Sequence, residues 1–230
     1  MLKTKLRFLM GRLIKIFGYK IERIDKLPID ITEENFKRIY AETRKYSLLS
    51  VERMYSLYRA VNYIIEADIP GDIVECGVWK GGACMLAAKT LLSLKETKRR
   101  ILLYDTFKGM TKPSDKDVRI TDANTDAKPA KKKWKENERK THNSWVYAPF
   151  EEVKENLLST GYPEEKLVFV KGPVEETLPK HAPERISILR LDTDLYNSTY
   201  HELKHLFPKL SKGGILIIDD YGIWKGAKDA

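Results

Sequence analysis

The stretch Ile69–Leu86, IPGDIVECGVWKGGACML, reads as a buried strand that runs into a glycine-rich turn and then into a helix. The β-branched Ile73 and Val74 lead to Glu75 and Cys76. Gly77, Gly81 and Gly82 then loosen the backbone ahead of the apolar run Ala83, Met85, Leu86, Ala87 and Ala88. Glycines at such a turn let a ligand approach the main chain where a Cβ would clash, and the first helical turn offers unpaired N–H groups. The spacing is not the dinucleotide G-x-G-x-x-G, because Val78, Trp79 and Lys80 separate Gly77 from the Gly81–Gly82 pair, and no G-K-[ST] P-loop is present. On its own the turn is equally compatible with a tight β-to-α connection.

Residues further along favour a nucleotide-type fold. Arg100–Thr106, RILLYDT, is an apolar strand that ends in Asp105, where a βαβ nucleotide fold places the carboxylate for ribose hydroxyls. Ile186–Asp194, ISILRLDTD, and Gly213–Asp220, GGILIIDD, are two more buried-type strands with paired carboxylates at their ends. A parallel sheet would therefore collect Glu75, Asp105, Asp192, Asp194, Asp219 and Asp220 at its carboxyl edge, where ligands of open α/β sheets bind. Asp192, Asp219 and Asp220 supply hard oxygen ligands without cysteine or a histidine pair, a choice that suits Mg²⁺. Taken singly, each acid could instead cap a helix or pair with Arg190 or Lys212.

VECGVWKGG, YDTFKGM, LRLDTDLYNST and LSKGGILIIDDYGIWKGA, in colinear order over Met54–Ala230, resemble the macrocin O-methyltransferase (TylF/MycF-like) family. The resemblance implies a class I methyltransferase: an α/β, Rossmann-like, doubly wound sheet that uses S-adenosyl-L-methionine and Mg²⁺. It places the cofactor on Glu75, Gly77, Trp79, Gly81, Gly82, Asp105, Thr106, Phe107, Gly172 and Asp192. Of these, Glu75, Gly77 and Gly81 hold its amino-acid end, Asp105 its ribose, and Gly172 opens a segment near adenine. Asp192, Asp219 and Asp220 match the metal ligands, and Asp194 stands behind them. The implied reaction is in-line methyl transfer to a hydroxyl of a sugar or glycan-type natural product. A catechol-type O-methyltransferase and a non-catalytic cofactor-binding or oligomerising module are the alternatives. Another helix and two final strands should follow DDYG, so the chain reads as truncated before the last two strands, with an open edge that invites dimerisation.

The chain of 230 residues, 42% hydrophobic, is long enough for one sizeable core. We divide it into a helical extension and roof over 1–67 and the methyltransferase domain over 68–230. The net charge of +9 fits nucleic acid, an anionic membrane or an anionic small substrate. No RNP-like, zinc or helix-turn-helix pattern accompanies it, so a small-molecule or glycan acceptor is expected rather than nucleic acid. Cys76 and Cys84 read as small buried hydrophobes in a reducing compartment, which points to the cytoplasm.

Three further stretches carry expectations. Met1–Tyr19 sets Leu2, Leu6, Leu9, Leu13 and Phe17 at helical spacing among basic residues. It is read as a helix packed on the domain or on a partner subunit of a homo-oligomer, or else lying on anionic lipid at the inner membrane face through residues 1–20. Pro28–Ala67 reads as two helices, with Thr32 and Asn35 as a candidate cap for the first. Thr111–Ala148 has no sustained apolar period and is read as a lid over the cofactor edge or a solvated insertion. Its His142 joins Asp192 as a catalytic candidate.

Overall fold

The computed structural model describes residues 27–120 and 130–230. The chain divides into two units, Met1–Thr32 and Glu33–Ala230. The basic amphipathic stretch at the N-terminus lies outside the described residues. No helix among the described residues is long and apolar enough to cross a membrane.

In the larger unit the core is a five-stranded parallel sheet of order β3-β2-β1-β4-β5. Its strands are β1 (Asp72–Cys76), β2 (Ile101–Asp105), β3 (Leu167–Lys171), β4 (Ile186–Leu191) and β5 (Leu210–Ile218). β4 is buried at every residue and β1 at all but its first, which is why neither shows the strict polar–apolar alternation of a half-exposed strand. The order in which strands are added reverses between β1 and β4, so the crevice beyond the carboxyl ends of these two strands is the switch point of the sheet.

Two helices precede β1: α1 (Glu34–Thr43) and α2 (Val51–Glu66). Glu33, not Thr32, occupies the cap position of α1, without a side-chain cap bond; Asn35 lies inside the helix and donates to Ser93 Oγ at 2.9 Å. Ser50 caps α2. Both helices lay their apolar residues, among them Phe36, Ile39, Met54, Leu57, Val61 and Ile64, against α3 (Gly82–Ser93). Covered by the sheet on one side and by these helices on the other, α3 buries Gly82 through Ala88 without a break.

The described residues of the 111–148 stretch hold more structure than its lack of periodicity suggests. It contains α4 (Ala130–Glu136), and Ala130 and Trp145 form a small apolar cluster with Trp224 and Ala227. Trp145 and Trp224 meet with ring centroids 5.8 Å apart, and Trp134 donates its indole N–H to the Met110 carbonyl at 2.8 Å. Large aromatic side chains build this core from few residues, so no repeating pattern is needed in the sequence. Asp117 fastens the stretch to the sheet layer. Its Oδ1 accepts from the Tyr196 N–H at 2.7 Å, at the first residue of α7 (Tyr196–Leu206). The remaining helices are α5 (Phe150–Leu158), α6 (Val174–Thr177) and α8 (Lys225–Asp229).

Candidate active site

The sheet ladder continues one residue past its strands, and this aligns the site. The Gly77 N–H donates to the Tyr104 carbonyl at 2.8 Å, Gly172 to Asp105 at 2.9 Å, Asp192 to Cys76 at 2.8 Å and Asp219 to Leu191 at 2.9 Å. Four chain segments thus leave the sheet at one level. Beyond them lies a cavity of about 1060 Å³. Its floor includes Glu75, Gly77, Trp79, Gly82, Asp105, Thr106, Gly172, Asp192, Asp219 and Asp220, and its walls come from Tyr46, Arg53, Trp145, Tyr147 and Trp224. Arg119, Lys132 and Lys133 of the 111–148 stretch also line it.

The glycine turn is shaped first by its own packing. Gly77 and Gly81 have φ of 81° and 83°, in the left-handed region that glycine adopts at little cost. A Cβ at Gly77 would run into the Asp192 carbonyl, one at Gly81 into Leu157, and one at Gly82 into the Tyr46 backbone. Close approach of neighbouring backbone therefore requires glycine at 77 and 82, ahead of any ligand, while at 81 the positive φ favours it. Asp105 holds the turn from the other side. Its Oδ2 accepts from the N–H groups of Val78 at 2.8 Å and Trp79 at 3.2 Å, and its Oδ1 from Phe107 at 2.8 Å. Burial raises its pKa, while these backbone donors act to lower it. The carboxylate expected on ribose is thus engaged in tying the β1 and β2 loops together. Trp79 and Phe107 both take positive φ, 47° and 52°, under this constraint.

At the centre stands Arg190, 2% exposed. Its Nη1 lies 2.5 Å from Glu75 Oε1 and 2.8 Å from Asp192 Oδ2, and its Nη2 lies 2.8 Å from Asp219 Oδ1. Burial works against its charge, but the Asp192, Glu75 and Asp219 carboxylates outweigh that and hold the guanidinium above its ordinary pKa. Glu75 is fully engaged: its second oxygen accepts from Cys84 Sγ at 2.8 Å. Sequence reading treated Arg190 as a candidate partner for one acid, whereas the structure makes it the hub of three. An arginine inside an otherwise apolar buried strand was the available signal.

Asp192, Asp219 and Asp220 each bring a carboxylate oxygen within 4.8 Å of the others. Asp220 is 6% exposed, and its Oδ2 has no hydrogen-bond partner. Burial and the neighbouring Asp194 push its pKa up to about 8, and burial with Asp192 pushes Asp194 up to about 7. Asp192 is also well above its ordinary value, through burial and despite Arg190. Such a cluster, with one oxygen orphaned, is the donor set a hard divalent cation takes. His142 is not brought to it: the ring stacks on Tyr147 at 4.1 Å and is not among the residues lining the cavity.

Comparison with known proteins identifies the family. The family model described as macrocin-O-methyltransferase (TylF) matches residues 41–230. The 8-demethyl-8-(2,3-dimethoxy-alpha-L-rhamnosyl)-tetracenomycin-C 4'-O-methyltransferase of Streptomyces olivaceus is 32% identical over 178 residues, 77% of this chain and 63% of that protein. Demethyldecarbamoylnovobiocin O-methyltransferase of Streptomyces niveus is 32% identical over 185 residues, 80% of this chain and 66% of that protein. The chain thus spans just under two thirds of the length of both relatives. The solved structure of the O-methyltransferase NovP superposes with a TM-score of 0.66 at 30% identity, covering 80% of this chain and 71% of that one. Since the family model takes in both the glycine turn and the carboxylate cluster, the chain belongs to the macrocin O-methyltransferase (TylF) family.

Proposed function

We propose that the protein is an S-adenosyl-L-methionine- and Mg²⁺-dependent O-methyltransferase that acts on a hydroxyl of a sugar or glycan-type natural product. The observation that carries this reading is that one cavity joins the glycine turn to the carboxylate cluster. Its volume, about 1060 Å³, lies at the top of the usual small-molecule range of roughly 300–1,000 Å³, so it admits a cofactor and an acceptor side by side. A rhamnosyl-bearing compound in the printed name of one relative supports a sugar hydroxyl as the acceptor.

The residues fit both groups. Gly77, Trp79, Gly82, Thr106 and Gly172 line the part of the cavity assigned to the cofactor. Gly81, Asp105 and Phe107 set the loops that shape it. Asp192, Asp219 and Asp220 would hold the cation, and the unpartnered Asp220 Oδ2 is the atom that most needs one. When bound, the sulfonium cofactor supplies an electrophilic methyl and the cation supplies Lewis acidity toward an acceptor hydroxyl. The chain's own part is placement. Arg190 fixes Glu75, Asp192 and Asp219 in one frame, and Trp145 and Trp224 wall the site from water, so most of the rate gain comes from holding the reactants in line. Of the two catalytic candidates, we assign the acceptor-orienting role to Asp192 rather than His142.

The test is transfer of labelled methyl from S-adenosyl-L-methionine to a panel of rhamnosides and other vicinal-diol glycosides, with Mg²⁺ or with excess EDTA. Label should reach a glycoside only with Mg²⁺. Label on a catechol but on no glycoside would favour the catechol reading, and equal transfer in EDTA would remove the metal from the proposal.

A further inference from the structure

Arg53, in the first turn of α2, lines the cavity, and its Nη1 lies 2.8 Å from Asp219 Oδ2. The two partners are unequal: the Arg53 side chain is 42% exposed and that of Asp219 only 6%. The other Asp219 oxygen accepts from Arg190. One carboxylate of the cluster is therefore held by two arginines of different kinds. Arg190 cannot withdraw without leaving the buried Glu75 and the half-buried Asp192 without a cation. Arg53 can, because its guanidinium has water to return to and an ion pair of that exposure is weakly held.

We propose that Arg53 is the resident counter-cation of the carboxylate cluster and that a divalent cation displaces it from Asp219 Oδ2. The inference rests on the reading of Asp192, Asp219 and Asp220 as a cation site. Within that reading the reasoning is electrostatic. Oδ1 of Asp219 already serves Arg190, so Oδ2 is the oxygen left for a divalent ion shared with Asp192 and Asp220, and a guanidinium already on Oδ2 would oppose that ion at short range. A ligand that must displace a resident partner binds with reduced apparent affinity, and removing the partner restores the difference. Displacement also changes the cavity. The freed guanidinium presents a planar fork of donors to the acceptor side, matched to oxygen-rich groups, so that the acceptor would meet this donor face only after the cation is in place.

The test is calorimetric titration of MgCl₂ into the full chain, without cofactor or acceptor, for the wild type, Arg53→Gln and Arg53→Lys. Arg53→Gln should bind Mg²⁺ about tenfold more tightly than the wild type, with Arg53→Lys at or near the wild-type value. Equal or weaker binding by Arg53→Gln, with the wild type binding normally, overturns the role of Arg53 and leaves the cation site standing. Absence of Mg²⁺ binding in all the proteins overturns the cation site itself, and the inference with it.

Discussion

Gly77 and Asp192 touch backbone to backbone: the Gly77 Cα faces the Asp192 carbonyl so closely that no Cβ fits between them. The contact joins the glycine turn after β1 to the carboxylate turn after β4, the two halves of the site. Gly77→Ala should therefore damage both. Forcing alanine to φ 81° costs on the order of 1–3 kcal/mol before any overlap is counted. A lowered melting temperature together with lost S-adenosylhomocysteine binding is expected. A variant of native stability and affinity would mean that the turn relaxes freely.

Asp105 ties two loops through its backbone donors. Asp105→Asn replaces one acceptor oxygen with an amide that cannot accept, so at least one of the bonds from Val78, Trp79 and Phe107 is lost. Amide hydrogen exchange should accelerate at Val78 and Trp79 or at Phe107, and cofactor affinity should fall with it. Weakened affinity with no change in exchange would instead favour direct contact between this carboxylate and ribose.

Removing the hub leaves charges without a partner. Arg190→Met should destabilise the protein by about 3–5 kcal/mol, because Glu75 and Asp192 would lose their guanidinium and Asp219 would be left to the more exposed Arg53 alone. Chemical denaturation would read the loss. Arg190→Lys should recover only part of it, since one ammonium cannot reproduce a fork that reaches three carboxylates.

Glu202, wholly buried on α7, accepts from Thr193 Oγ1 at 3.2 Å, and its Oε1 has no partner. Burial pushes its pKa from 4.5 up to about 8. Between those values the folded protein keeps a proton that the unfolded chain has released. This group's contribution is therefore favourable below about pH 4.5 and is lost as the pH rises toward 8, by up to about 1.4 kcal/mol per pH unit. Urea midpoints from pH 5 to 8 should fall for the wild type and fall less for Glu202→Gln, which keeps the shape without the charge. Equal slopes would show that the carboxyl does not stay protonated in the folded state.

What the sequence revealed and what it hid divide along physical lines. Strands announce themselves by apolar runs that stop at acids, so β1, β2, β4 and β5 and the gathering of Asp192, Asp219 and Asp220 at one edge were legible. Gly77 was legible as a glycine, but the neighbour that requires it, the Asp192 carbonyl, is distant in sequence. The same holds for Arg53, which is 166 residues from Asp219. The order within the 111–148 stretch was hidden because Trp145 packs on Trp224 across a long separation, and no local period reports such a pair.

Whether the cavity over the glycine turn takes the cofactor is decided by calorimetric titration of S-adenosylhomocysteine into the full chain. Saturable binding at one site per chain is expected, retained in excess EDTA because the cofactor would rest on the glycine turn and the β2 loop rather than on a bound cation, and abolished in Gly77→Ala. No binding by the folded wild-type chain, with or without Mg²⁺, would contradict the assignment.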